Sequence, residues 1–178
     1  LRGLLAINLA VAAAGATVIV NTVVYVQARF GLDQKATAFA LAAFGGGSML
    51  AALGLPRLLD RIPDRTMMLT GASVLTAGTF AAAAIGGYDW LLPLWFVLGL
   101  GYSLAQTPSG RLLRRSANPE DRPAIFAAQF ALSHACWLIT YPLAGWAGSK
   151  LGLPAAAIVL ASIAVAALVI CAMVWPAD

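Results

Sequence analysis

The chain has 178 residues, 61% of them hydrophobic and only 10% charged, with a mean hydropathy of +0.86. Soluble domains usually carry about 25% charged residues, so too little polar surface is available for a water-soluble fold, and the chain reads as an all-α integral membrane protein. The net charge of +4 does not point to nucleic acid, because the basic residues stand in turns beside apolar runs and are not interleaved with aromatics that would stack on bases.

Six apolar segments follow one another, at about 4–27, 36–55, 67–86, 90–107, 124–148 and 153–175. A spanning helix takes about 20 residues, within a range of roughly 17–25, so each segment is predicted to be a transmembrane helix in one six-helix bundle. The alternation of a β-barrel is missing. The chain opens Leu1-Arg2-Gly3 without an initiator methionine. Segment 4–27 is longer than a signal-peptide core and has no clear small-residue cleavage site after it. It is therefore expected to span, and the chain to be a piece of something longer.

Polar groups inside a span cost free energy and call for a reason. In the first segment Thr17, Asn21 and Tyr25 are spaced i, i+4, i+8 and share a helix face. This stripe is a candidate for solute contact, with hydrogen bonding of Asn21 to a neighbouring helix as the alternative. Between the second and third segments lies a short charged turn, 54–65, in which Arg57, Arg61 and Arg65 interleave with Asp60 and Asp64, and Pro56 and Pro63 punctuate it. The helices it joins must be antiparallel neighbours.

Eight basic residues (Arg2 and those of the turns 57–65 and 111–122) then fall on one side, against Arg29, Lys35 and Lys150 on the other. The excess of basic residues marks the cytoplasmic side, so both termini are expected in the cytoplasm. Gly45-Gly46-Gly47 with Ser48, Gly99 with Gly101, and Gly145 with Gly148 would let helices approach closely. The glycine triplet lacks a following Lys-Ser/Thr and a preceding strand, so it is not a phosphate loop, and no cofactor is called for. Gln106 to Ser109 closes the fourth segment, and Arg111-Leu112-Leu113-Arg114-Arg115 reads as a short interfacial helix.

The fifth segment is the richest. Phe130, His134, Trp137 and Tyr141 lie within one broad helix face, while Gln129 points away. His134 is close to the middle of the segment and is the one ionisable side chain clearly inside a span. It is a candidate for solute contact or proton coupling, with Asn21 and Tyr141 as conceivable hydrogen-bond partners and Trp137 and Tyr141 as an aromatic wall. The alternative is a neutral tie between helices. Cys136 and Cys171 read as small packing residues. With one histidine and no acidic pair inside a span, neither a catalytic constellation nor a metal site emerges, and the chain is not expected to be an enzyme.

Two antiparallel helices joined by an Asp-Arg turn, within six spans whose ends share one side, resemble half of a major facilitator superfamily transporter. The family's turn motif runs roughly Gly-x-Leu-Ala-Asp-Arg-x-Gly-Arg-Arg. Leu58, Asp60 and Arg61 match its leucine, aspartate and adjacent basic residue. Pro56 replaces its glycine, and Asp64 replaces a later arginine that appears one residue on as Arg65. Such departures resemble the copy of the motif in the C-terminal half.

The resemblance implies two inverted three-helix repeats and a partner, either the missing N-terminal six-helix half or a second copy. It also implies a conformational latch at Asp60 with Arg61 and Arg65, in which the aspartate faces a helix end of the opposite half. The expected function is half of a secondary active transporter that moves a small solute across the cytoplasmic membrane by alternating access, with proton-coupled efflux as the finer expectation. The alternative is a non-transporting membrane assembly module or a truncated remnant.

Overall fold

The computed structural model describes residues 2–175, which form seven α-helices and one π-helical segment with no strand among them. Helix α1 (Arg2–Val23) runs straight into the π segment Val24–Arg29. There follow α2 (Gln34–Leu59), α3 (Asp64–Ala82), α4 (Tyr88–Gln106), α5 (Ser109–Ser116), α6 (Arg122–Leu151) and α7 (Leu153–Val174). The six long helices fall on the six apolar segments, and the short α5 contains the basic stretch 111–115.

The helix ends have local causes. α2 begins at Gln34 because the Asp33 side chain caps it, accepting a 2.9 Å bond from the Ala36 N–H. It also continues through Pro56 to Leu59, so the connection to α3 is the four-residue turn 60–63 and not the longer turn 54–65 read from the sequence. Proline in a helix lacks an N–H and crowds the carbonyl four residues back; Pro56 is exposed, close to the helix end, where that strain is easily accommodated. α3 stops at Ala82, ahead of Gly86-Gly87, a pair poorly suited to a helix interior.

Four helices are long and apolar enough to cross a membrane: α1 with its π continuation, α2, α6 and α7. α3 and α4, with 19 residues each, fall short of that measure. Three of the four threonines of α3 are nonetheless satisfied within their own helix. Thr70 donates to the Thr66 carbonyl at 2.9 Å, Thr76 to Ala72 at 2.8 Å and Thr79 to Leu75 at 2.7 Å. A hydroxyl bonded back to its own helix carries little penalty in an apolar setting.

The packing partners reveal an inverted repeat. α1, first of the first triplet, packs chiefly on α6 and α7; α4, first of the second triplet (α4, α6, α7), packs chiefly on α2 and α3. Each leading helix thus docks on the last two helices of the other triplet, as a two-fold axis between them requires. α1 is the central helix, with Ala10 to Val18 fully buried, and its alanines let several neighbours approach at once.

The α2–α4 crossing is closest. A Cβ at Gly47 would collide with the Phe96 carbonyl, and one at Gly99 with the Phe44 carbonyl. Beside the crossing, Ser103 donates its hydroxyl to the Ser48 carbonyl at 2.7 Å, and the two hydroxyl oxygens are 2.8 Å apart, leaving Ser48 to donate to Ser103. Gly45, by contrast, has open space where a side chain would go. The triplet 45–47 therefore contributes one packing glycine and one that faces outward.

Candidate functional site

α6 has 30 residues, about 45 Å at 1.5 Å per residue, yet only Thr140, Ala144 and Ala147 are buried. Thr140 anchors it to α1 by donating to the Ala12 carbonyl at 3.2 Å. Along one edge of this otherwise open helix the aromatic side chains form a ladder. The ring centroids of Phe130 and His134 are 3.9 Å apart, those of His134 and Trp137 6.5 Å, and those of Trp137 and Tyr141 5.2 Å. The Trp137 ring reaches over α1 at Gly15, 3.9 Å from where a Cβ would stand. The four residues expected to share a face do share it, with Phe130 and His134 exposed and Trp137 and Tyr141 half-buried.

The environment of His134 defines its chemistry. Its Nδ1 is 2.8 Å from the Phe130 carbonyl and 3.4 Å from the Ser133 hydroxyl. A carbonyl can only accept, so the shorter contact requires Nδ1 to carry the hydrogen. In the neutral ring that leaves Nε2 with its lone pair, free to accept a proton or a hydrogen bond. The bond that orients the ring comes from its own helix, so neither Asn21 nor Tyr141 is the partner. Asn21 lies against α1's contact with Gly148, its Oδ1 3.3 Å from where a Cβ of that glycine would be, about 20 Å further along α6.

The stripe Thr17, Asn21, Tyr25 turns inward within this bundle. Thr17 is buried and donates to the Ala13 carbonyl at 3.4 Å. Tyr25 is buried too: its hydroxyl donates to the Ala82 carbonyl at 2.9 Å, and its ring meets the Trp95 ring edge-on at 5.8 Å. Trp95 in turn donates Nε1–H to the Thr22 hydroxyl at 2.7 Å, tying α4 to α1. Asn21 is only 1% exposed, and its Nδ2 has no hydrogen-bond partner among the described residues. Asn8, on the same helix, is in the same condition.

A second polar centre lies at the end of the bundle that carries both termini, where Trp175 packs on Gly3. Asp64, in the first turn of α3, is only 8% exposed and pairs with Arg111 of α5, whose Nε is 2.9 Å from Oδ1 and whose Nη2 also reaches that oxygen. Arg115, one turn on, reaches Oδ2 at 3.4 Å. The Arg111 guanidinium also donates to the Leu59 carbonyl at 3.2 Å from both terminal nitrogens. It therefore satisfies the negative C-terminal end of α2 while holding an acid at the positive N-terminal end of α3. This clamp was not foreseen from the sequence; its one signal was an acid within the first turn of a helix. Asp60 and Arg61 remain exposed, Arg65 is half-buried, and Asp60 makes no ion pair with the described residues.

Six long helices in two interlocked inverted triplets, with an open aromatic edge and a charged clamp at one end, define half of an α-helical membrane transporter. The family model of the Major Facilitator Superfamily matches residues 5–178, and the chain belongs to that superfamily of membrane transporters. None of the curated proteins compared with it matches.

Proposed function

We propose that the chain is the C-terminal six-helix half of a secondary active transporter. It moves a small solute across the cytoplasmic membrane by alternating access, coupled to protons and directed outward. The observation that carries this reading is His134: a histidine on the open edge of α6, with Nδ1 tied to its own helix and Nε2 unoccupied among the described residues. Imidazole is the side chain that ordinarily changes charge near physiological pH. Phe130, Trp137 and Tyr141 give the same edge apolar faces suited to a lipophilic or weakly polar solute. In this reading Thr17 and Tyr25 support the bundle, and Asn21 keeps a spare amide group buried within it. The second six-helix half, or a second copy of this chain, closes the cavity. The reading of a non-transporting assembly module gains nothing from an open histidine.

Exchange of His134 separates the roles. His134→Gln keeps a hydrogen-bonding side chain but cannot titrate, whereas His134→Ala keeps neither property. Both variants of the full transporter are expected to lose pH-driven solute flux in vesicles while the Gln variant expresses normally. Wild-type pH dependence in His134→Gln would overturn proton coupling through this residue. A structural tie would instead show as a functional Gln variant and a poorly expressed Ala variant.

The sidedness follows from charge. The end bearing both termini holds eight of the eleven basic residues, which supports its assignment to the cytoplasm. A single cysteine at Asn118, exposed between α5 and α6, in a background lacking Cys136 and Cys171, is expected to escape an impermeant thiol reagent in intact cells and to react after permeabilisation. Labelling in intact cells would reverse the orientation.

A further inference from the structure

On the side of α6 turned away from the aromatic ladder, a groove of about 110 Å³ runs between three helices at the end of the bundle that carries both termini. It is lined by Leu5 of α1, Leu113 of α5, and Ile125, Ala128, Gln129 and Leu132 of α6. The α6 residues recur at i, i+3, i+4 and i+7, a continuous strip two turns long. Each helix that lines the groove carries an arginine within one turn of its lining residue: Arg2 before Leu5, Arg114 beside Leu113 and Arg122 before Ile125. Arg122 is held at the C-terminal end of α5, its Nη2 donating to the Arg114 carbonyl at 3.4 Å, and its Nε is buried without a partner among the described residues.

Arg111 and Arg115 are engaged by Asp64, but Arg2, Arg114 and Arg122 form no ion pair with the described residues. The nearby acids, Glu120 and Asp121, are exposed in the connection before α6, where they favour the positive end of that helix. A basic rim thus leads into an apolar strip, with one amide along it, on the outer surface of this bundle.

We propose that this groove is a binding site for an anionic phospholipid, with the headgroup phosphate at Arg114 and Arg122 and an acyl chain along Ile125, Ala128 and Leu132. Basic pockets between helices on the cytoplasmic side suit anionic headgroups, and each arginine near such a surface contributes about 1 kcal/mol, or roughly five-fold in affinity. The site rests on the proposed reading in which the ladder edge of α6 faces the solute path and this side faces lipid; its test reads lipid affinity and needs no transport at His134.

The test is native mass spectrometry of the purified protein in neutral detergent, titrated separately with phosphatidylglycerol and phosphatidylcholine. Phosphatidylglycerol is expected to bind more tightly. Arg114→Gln and Arg122→Gln should each weaken it by roughly five-fold and weaken phosphatidylcholine less, because choline offsets the charge of its phosphate, while Leu132→Trp, which fills the groove, should weaken both. Lys150→Gln, at the opposite end, should alter neither. Should the arginine variants fail to fold, added salt on the wild type gives the same reading, since screening weakens the anionic lipid more than the zwitterionic one. Equal affinity for the two lipids, or phosphatidylglycerol binding indifferent to both salt and the arginine variants, would overturn the proposal and leave a contact open to any lipid.

Discussion

Gly47→Ala is expected to destabilise the bundle by about 2–3 kcal/mol, while Gly45→Ala, two residues away, leaves it unchanged or up to about 1 kcal/mol more stable. The two glycines belong to one triplet and one helix, so propensity favours alanine equally at both. They differ in what the methyl group meets. At Gly47 it collides with the Phe96 carbonyl, and at Gly45 it enters open space. Backbone cannot change rotamer, so α2 and α4 must move apart and stretch the Ser48–Ser103 bonds beside the crossing. Gly99→Ala should cost about as much as Gly47→Ala, because it meets the Phe44 carbonyl across the same crossing. The double variant should then lose less than the sum of the two, since one displacement relieves both clashes. Thermal unfolding of the purified variants reads this directly; equal stability of the Gly45 and Gly47 variants would contradict the crossing.

The second large effect concerns Asp64. Breaking a buried ion pair by removing one member costs about 3–5 kcal/mol; the Arg111 side chain is 30% exposed, which brings the expectation for Asp64→Asn to about 2–3 kcal/mol. The loss is compound. Arg111 and Arg115 face each other without a counter-charge, and the turn between α2 and α3 loses its link to α5. Asp60→Asn, four residues earlier, should change stability by less than about 0.5 kcal/mol, as surface substitutions do, because Asp60 is exposed and has no ion pair among the described residues. Its expected effect lies elsewhere: if Asp60 holds a helix end of the opposite half, with Arg61 and Arg65 beside it, transport by the full protein should fall several-fold. Helix-end charges contribute about 0.3–1 kcal/mol, up to ~2 when partly buried. Unaltered transport in Asp60→Asn would remove the latch, and unaltered stability in Asp64→Asn would remove the clamp.

These two aspartates mark the boundary of what could be read from the sequence. The helices could be read because an apolar run of the right length is itself the requirement for crossing a membrane. The family could be read because Leu58, Asp60 and Arg61 stand at motif spacing. What the acids do could not be read, because the reach of α2 through Pro56 to Leu59 decides which of them faces α5. That extension leaves Asp60 exposed at the helix end and puts Asp64 in the first turn of α3 opposite Arg111. The inward turn of the stripe on α1 could not be read for a similar reason. A helix wheel shows that Thr17 and Asn21 share a face but not that the face turns inward. Tyr25 falls in the π segment beginning at Val24, where the 100° step no longer holds. On α6 the spacing on the wheel agrees with the ladder, because Phe130 to Tyr141 lie in regular helix, where the 100° step holds.

That open edge is the centre of the proposed function, and single cysteines along α6 test it most directly. Phe130 and His134 lie on the ladder edge, whereas Leu132 and Ile139 lie on the opposite side of the helix, and all four are exposed on this bundle. Solvent exposure of the isolated half therefore does not distinguish the two sides, but reaction with a water-soluble thiol reagent in the assembled transporter does. In a background lacking Cys136 and Cys171, cysteines at Phe130 and His134 are expected to react, and those at Leu132 and Ile139, facing lipid or the α5 corner, to stay silent. Labelling confined to Leu132 and Ile139, or equal on both sides, would contradict a solute path along the His134 edge.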